Sequence, residues 1–130
     1  MAERYLIDTS AVIKYLSKAF PAKGIKFMDN VVDKESIISF ISEIELQVWN
    51  PPNPADTIIY IEFIEESKII SVEKSIIKKT ISIRKNQKLK IPDAIIAATA
   101  LVHDFTLISD NDKDFLKVPG LKYINPSKII

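Results

Sequence analysis

Short apolar runs alternate with amphipathic stretches along this chain, separated by capping and turn residues. Tyr5-Leu6-Ile7 ends abruptly at Asp8 and reads as a buried strand. A helix capped by Thr9 or Ser10 follows, with Val12, Ile13 and Leu16 at helical spacing. Pro21 opens a second helix that sets Ile25, Met28, Val31 and Val32 on one face. Residues 36–40 read as a second strand, and Ser42 is the expected cap of a third helix holding Glu43, Ile44, Leu46 and Trp49. The prolines of 51–54 mark a turn, Asp56 the cap of a fourth helix, and residues 68–72 a third strand. A long basic helix is predicted over 73–86, with Ile76, Ile77 and Ile81 on its buried side. Pro92 starts a helix whose body, 94–102, is apolar almost all round and therefore buried. Residues 106–109 and 121–124 read as a fourth strand and a fifth at an edge.

Short strands alternating with helices predict an α/β fold: one domain over 1–130, with a short parallel sheet of four to five strands covered by helices on both faces. Ligands of such sheets bind outside the carboxyl ends of the strands. The functional question is therefore which residues stand there.

Composition narrows the answer. The 130 residues include 0 Cys, 1 His and 2 Gly. That excludes disulfide frameworks, thiolate zinc sites, iron–sulfur clusters and a Cys nucleophile. It also excludes a multi-histidine metal site and glycine-rich phosphate loops. No apolar run approaches the roughly 20 residues of a membrane span, and no long apolar signal core follows Met1, so a cytoplasmic protein is expected. The net charge of +1 conceals an asymmetry. Residues 1–67 hold 6 Lys/Arg against 11 Asp/Glu, and residues 68–130 hold 12 against 6. Between Lys74 and Lys90 lie 7 basic residues and no acid, which describes either a solvated helix face or a phosphate-contacting surface.

Several acids cluster at strand exits and helix starts. Asp8 follows the first strand, Glu43 the second, Asp93 begins the apolar helix, and Asp110, Asp112 and Asp114 follow the fourth strand. Any one of them is explained by capping and by the helix macrodipole. Together at one sheet edge they would repel unless protonated or paired with a cation. Oxygen donors without His or Cys suit Mg²⁺ or Mn²⁺, and such an ion commonly serves phosphate chemistry.

Four segments carry a family resemblance. They are Tyr5-Leu6-Ile7-Asp8-Thr9-Ser10, Ser42-Glu43-Ile44-Glu45-Leu46, the 91–100 stretch beginning Ile91-Pro92-Asp93-Ala94, and the 107–115 stretch containing Ser109-Asp110-Asn111-Asp112-Lys113-Asp114-Phe115. In this order and at this length the chain resembles a PIN-domain nuclease, and more narrowly a VapC-type toxin of a toxin–antitoxin pair. The resemblance implies a Mg²⁺-dependent ribonuclease, with Mn²⁺ as a substitute. By position Asp8, Glu43 and Asp93 match the family's first three acids, and Ser10 its supporting hydroxyl. The last segment departs from the pattern, with Ser109 in place of Thr. Asp112 is favoured there as the fourth metal ligand, with Asn111 and Asp114 as alternatives or supporting groups. Glu45, two residues past Glu43, is expected on a different helix face, solvated or bonded to a basic side chain rather than a ligand.

The resemblance further implies a small antitoxin that blocks the site and a homodimer, with the apolar helices near Trp49 and residues 58–63 as a candidate interface. Lys78, Lys79 and Arg84 are the residues expected to contact the RNA backbone. Rival readings are a housekeeping RNA-processing nuclease and a metal-free binding module of the same fold. A phosphoacceptor or haloacid-type phosphatase is disfavoured, because Asp8 is followed by Thr9 and Ser10 rather than by an Asp-x-Asp pattern. His103, at a helix end with no accompanying Ser or Cys nucleophile, reads as a cap partner.

Overall fold

In the computed structural model, which describes residues 3–130, strands of two or three residues make up a three-stranded and a two-stranded sheet. β1 (Tyr5–Ile7) leads into α1 (Thr9–Leu16) and α2 (Ala22–Lys34), and β2 (Ile37–Ser39) into α3 (Phe40–Val48). A 3₁₀ turn (Pro54–Asp56) precedes α4 (Thr57–Glu66) and β3 (Lys68–Ile70). The helices α5 (Lys74–Asn86) and α6 (Ile91–His103) pack together ahead of β4 (Thr106–Ile108). Then come α7 (Asp112–Phe115), β5 (Tyr123–Ile124) and a second 3₁₀ turn (Pro126–Lys128).

All ladders are parallel. β4 lies between β1 and β5, with Ile7 opposite Ile108 and Ile108 opposite Ile124. β2 and β3 form a separate ladder, with Ser39 opposite Ile70, and β2 packs against β1. The spatial order is thus 3-2-1-4-5, and the winding reverses between β1 and β4. Such a reversal splays the loops at the strand ends and opens a crevice there.

Alternation along the strands feeds two cores. Leu6, Ile37, Ile70 and Leu107 join Ile76, Ile83, Ile96 and the alanines of α6 on one face. Ile7, Ile38 and Ile108 join Val12, Met28, Leu46 and Phe63 on the other. The α/β architecture with helices on both faces is therefore as the pattern predicts.

Local differences have local causes. Asp8, not Thr9 or Ser10, caps α1, accepting from Thr9 N at 2.9 Å. Ser39 caps α3, accepting from Ile41 N at 3.1 Å, so the helix begins three residues before Glu43 and Ser42 is a buried interior residue. Asp56 precedes α4 but makes no side-chain cap bond, and Asn53 caps the 3₁₀ turn before it. On α5 the buried stripe is Ile76 and Ile83, two turns apart, while Ile77 and Ile81 are about half exposed. The four-residue α7 is too short to register as a helical period in the sequence.

The end of the described chain is held against α2 at Gly24. A Cβ there would lie 2.4 Å from the carbonyl oxygen of Pro126 and 3.3 Å from Phe20 Cβ. Gly24→Ala should therefore destabilise the fold despite alanine's better helix propensity. A loss of about 1–3 kcal/mol, lowering the melting temperature by roughly 4–10 °C, is expected by thermal circular dichroism. An unchanged melting temperature would mean that the 126–128 turn is not docked on α2.

Candidate active site

The crevice at the β1/β4 switch point is a cleft of about 680 Å³. Asp8, Thr9, Ser10, Glu45, Asp93 and Asn111 form its polar side, and Ile13, Ile44, Val48 and Trp49 its apolar wall. Asp8 is brought there because β1 ends on it and its backbone N–H still bonds to Ile108 O (2.9 Å). Its side chain is buried. Ser109 Oγ donates to Asp8 Oδ2 at 2.7 Å and Ser10 Oγ donates to the same atom at 3.0 Å. Burial nevertheless pushes the Asp8 carboxyl up to about 6; the two serines oppose the shift and the Asp93 charge adds to it.

Asp93 enters from the first turn of α6, where Pro92 fits because a first-turn N–H has no intrahelical partner. Its carboxyl is also raised, first by burial and then by the charges of Asp114 and Glu45, with Lys90 pulling the other way. Both carboxyls are raised chiefly by burial, with neighbouring carboxylates adding to the shift, so the cleft holds two acids whose charged forms are poorly solvated.

Glu45, not Glu43, supplies the α3 carboxylate. Thr9 Oγ1 donates to Glu45 Oε1 at 2.6 Å and stands 2.9 Å from Ser42 Oγ, which pins α3 to α1 beside Asp8. Glu43 does not line the cleft. At about 100° per residue, Glu43 and Glu45 flank the buried Ser42–Leu46 stripe on opposite sides. Only the flank facing α1 reaches the cleft. The sequence expectation of a solvated Glu45 is corrected accordingly.

The 109–115 segment divides its polar residues between two directions. Asn111 lines the cleft, and its Nδ2 donates to Asp114 Oδ2 at 3.0 Å. Asp112, favoured from sequence as the fourth ligand, turns away. It accepts from Tyr123 OH (2.6 Å) and Asn125 Nδ2 (3.0 Å) and pairs with Lys128. Lys128, Tyr123 and Asn125 hold its carboxyl down, to about 2. Asp110 pairs with Lys14 at 3.1 Å.

The expected RNA contacts are elsewhere. Lys78 and Lys79 are exposed on α5, and Arg84 donates to Leu89 O at 2.8 Å. Arg84 lines a second groove with Lys85 and Lys88. His103 bonds Glu73 at 2.7 Å and stacks on Phe105, outside the cleft.

A family model for the PIN domain matches residues 5–121. The chain belongs to the PIN domain family. PIN domains are in general nucleases, a class of hydrolase. Among solved structures, this PIN domain is similar to a toxin–antitoxin complex from Klebsiella pneumoniae, at 28% identity and a TM-score of 0.70, covering 96% of this chain and 99% of that one. It is also similar to the VapBC2 complex of Rickettsia felis bound to a promoter DNA fragment (22% identity, TM-score 0.76, 93% and 97% covered). DNA-bound VapBC from Salmonella typhimurium gives 20% identity and a TM-score of 0.78, with 96% and 99% covered. The last two speak for the fold alone. No curated protein sequence matches. Among the described residues of this PIN domain, no helix is long and apolar enough to cross a membrane.

Proposed function

We propose that this PIN domain is a Mg²⁺-dependent endoribonuclease and the toxin of a toxin–antitoxin pair. The observation that carries the reading is the gathering of Asp8, Glu45, Asp93 and Asn111, with Asp114 behind Asn111, at one switch-point crevice. Among the described residues no three acids are close enough to cage an ion as they stand. The donor set still fits one: every group is a hard oxygen ligand, and among the described residues neither Asp8 nor Asp93 forms an ion pair. Asp8, Glu45 and Asp93 would hold the ion, and Mn²⁺ would substitute. When bound, it acidifies a water and offsets the charge that develops on the phosphate and the leaving oxygen.

The chain's own residues do the positioning. Ser10 and Ser109 aim Asp8 by holding one of its oxygens. Thr9 holds Glu45 toward the same space. The apolar wall of Ile44, Val48 and Trp49 leaves one side of the cleft dry and suits an antitoxin segment that is apolar along its length and basic at its tip. Exposed Ile58, Ile59 and Ile61 extend that apolar surface along α4 and are where a homodimer contact is proposed.

The direct test is incubation of the purified protein with RNA and Mg²⁺ or Mn²⁺, followed by mapping of 5′ ends. Discrete cuts that Asp8→Asn eliminates support the reading, and no cleavage with either ion refutes it. The basic helix supplies a second test, since Lys78 and Lys79 are free to meet phosphates. Reversing the charge of Lys78, Lys79 and Arg84 together should weaken RNA binding about tenfold or more at low salt and flatten its salt dependence. Equal binding by filter assay across salt concentrations would remove α5 from the RNA path.

A further inference from the structure

We propose that the C-terminal strap, residues 123–128, is a positioning element for the cleft: by holding Asp112 it sets where Asn111 and Asp114 stand. The inference rests on the nuclease reading above and goes beyond it, because none of the strap's residues lines the cleft.

Asp112 is the first residue of α7, and Asn111 is its cap. On a helix, residues three apart share a face, so Asn111 and Asp114 look one way while Asp112 looks about 100° round from Asn111. Holding Asp112 therefore fixes the rotation of this single turn. The strap holds it with three donors from three residues: Tyr123 OH, Asn125 Nδ2 and Lys128 Nζ. Tyr123 OH also stands 3.1 Å from Ser109 O, so one phenol touches both ends of the 109–112 connection. Ser109 is the residue whose hydroxyl holds Asp8.

The strap is itself anchored. Ile124 pairs with Ile108, and Ser109 N donates to Ile124 O at 3.2 Å. Pro126 is buried, with its carbonyl against Gly24 of α2. Lys14 of α1 donates to Ser127 Oγ at 3.3 Å while pairing with Asp110. The 109–114 segment is thus tied to β4 and α2 through backbone contacts of the strap and to α1 through Lys14, none of which lines the cleft. A four-residue helix has too few internal bonds to hold its own orientation, so these ties supply it. Partners that orient a metal-binding group typically matter ten- to a hundredfold in metal affinity.

The test uses the full chain and Mn²⁺ as the probe. Tyr123→Phe removes the hydroxyl and leaves the ring to pack on Phe115. Asp112→Ala removes the held group, and Tyr123→Phe stands alone should that variant not fold. The Mn²⁺ dissociation constant, read by paramagnetic resonance of the free ion, is expected to rise about tenfold in Tyr123→Phe. Amide exchange should accelerate about tenfold over 109–116 and stay as in wild type over β1, β2 and α6. Faster exchange with unchanged Mn²⁺ affinity overturns the proposal and leaves the strap a purely structural tie, and unchanged exchange also overturns it. Wild-type protein that binds no Mn²⁺, and behaves as Asp8→Asn does, overturns the nuclease reading itself. Wild-type binding that persists undiminished in Tyr123→Phe overturns only the role of the strap.

Discussion

Asp8→Asn should abolish RNA cleavage and, at the same time, make the metal-free protein more stable at neutral pH. The first effect follows from removing the most buried acid of the cleft. A loss of at least about a hundredfold is expected from the loss of a group that fixes transition-state charge stabilisation, measured by 5′-end mapping against wild type. The second effect follows from burial. Asp8 is 6% exposed, and its carboxyl is raised from 3.8 to about 6 in the folded protein. Its folded value lies above its unfolded one. The associated stability is therefore fully present below about pH 4 and is lost as pH rises through about 6. The loss is on the order of 2–3 kcal/mol by pH 7. Asp93 is shifted the same way and adds to the slope. Glu3, Glu35 and Asp112 are shifted downward, so what they contribute is constant above about pH 5 and falls away only in stronger acid. Urea melts in a chelator between pH 5 and 7.5 isolate the cleft. Wild type should weaken across that range, and Asp8→Asn should weaken less and be the more stable protein at pH 7. Identical pH slopes for the two proteins would show that burial does not raise the Asp8 carboxyl in the fold.

The two glutamates of α3 should separate sharply. Glu45→Gln is expected to lower cleavage about a hundredfold and weaken Mn²⁺ binding about tenfold or more. Glu43→Gln should stay within about twofold of wild type on both measures, because surface changes away from a site have small effects. The physical basis is the placement of the side chains. Glu45 accepts from Thr9, adjoins the cleft and acts on Asp93, whereas Glu43 does none of these. The amide introduced by Glu45→Gln keeps an oxygen for the Thr9 hydroxyl, so the variant removes charge with little change of shape. Calorimetry with Mn²⁺ and gel-based cleavage rates on both variants decide the matter. A crippled Glu43→Gln beside an active Glu45→Gln would reverse the assignment.

The elements of the fold were largely legible in the sequence because burial repeats. Leu6 and Ile7 alternate between two cores, and the apolar body of 94–102 has only one place to go in a sheet protein. Helix starts were less legible. Ser39 and Ser42 are equally good caps by residue type, and the choice went to Ser39 because β2 ends there in register with Ile70. Ile77 and Ile81 could not be told from buried residues by hydrophobicity, since it is the packing of α5 on α6 that buries the Ile76–Ile83 stripe instead.

By itself the sequence determined the kind of chemistry available. Asp8 and Asp93 adjoin apolar segments at the ends of elements, and with 0 Cys and 1 His any metal chemistry rests on oxygen donors. Only the tertiary structure decided which member of each acidic pair faces the cleft. Glu45 and not Glu43 lines the cleft, and so does Asn111, with Asp114 bonded behind it, where Asp112 does not. The reason is geometric. Helical periodicity states which side of a helix is buried, but not which flank of that side meets a neighbour. That is settled by where α1 lies against α3 and by the strap that takes Asp112 out of reach.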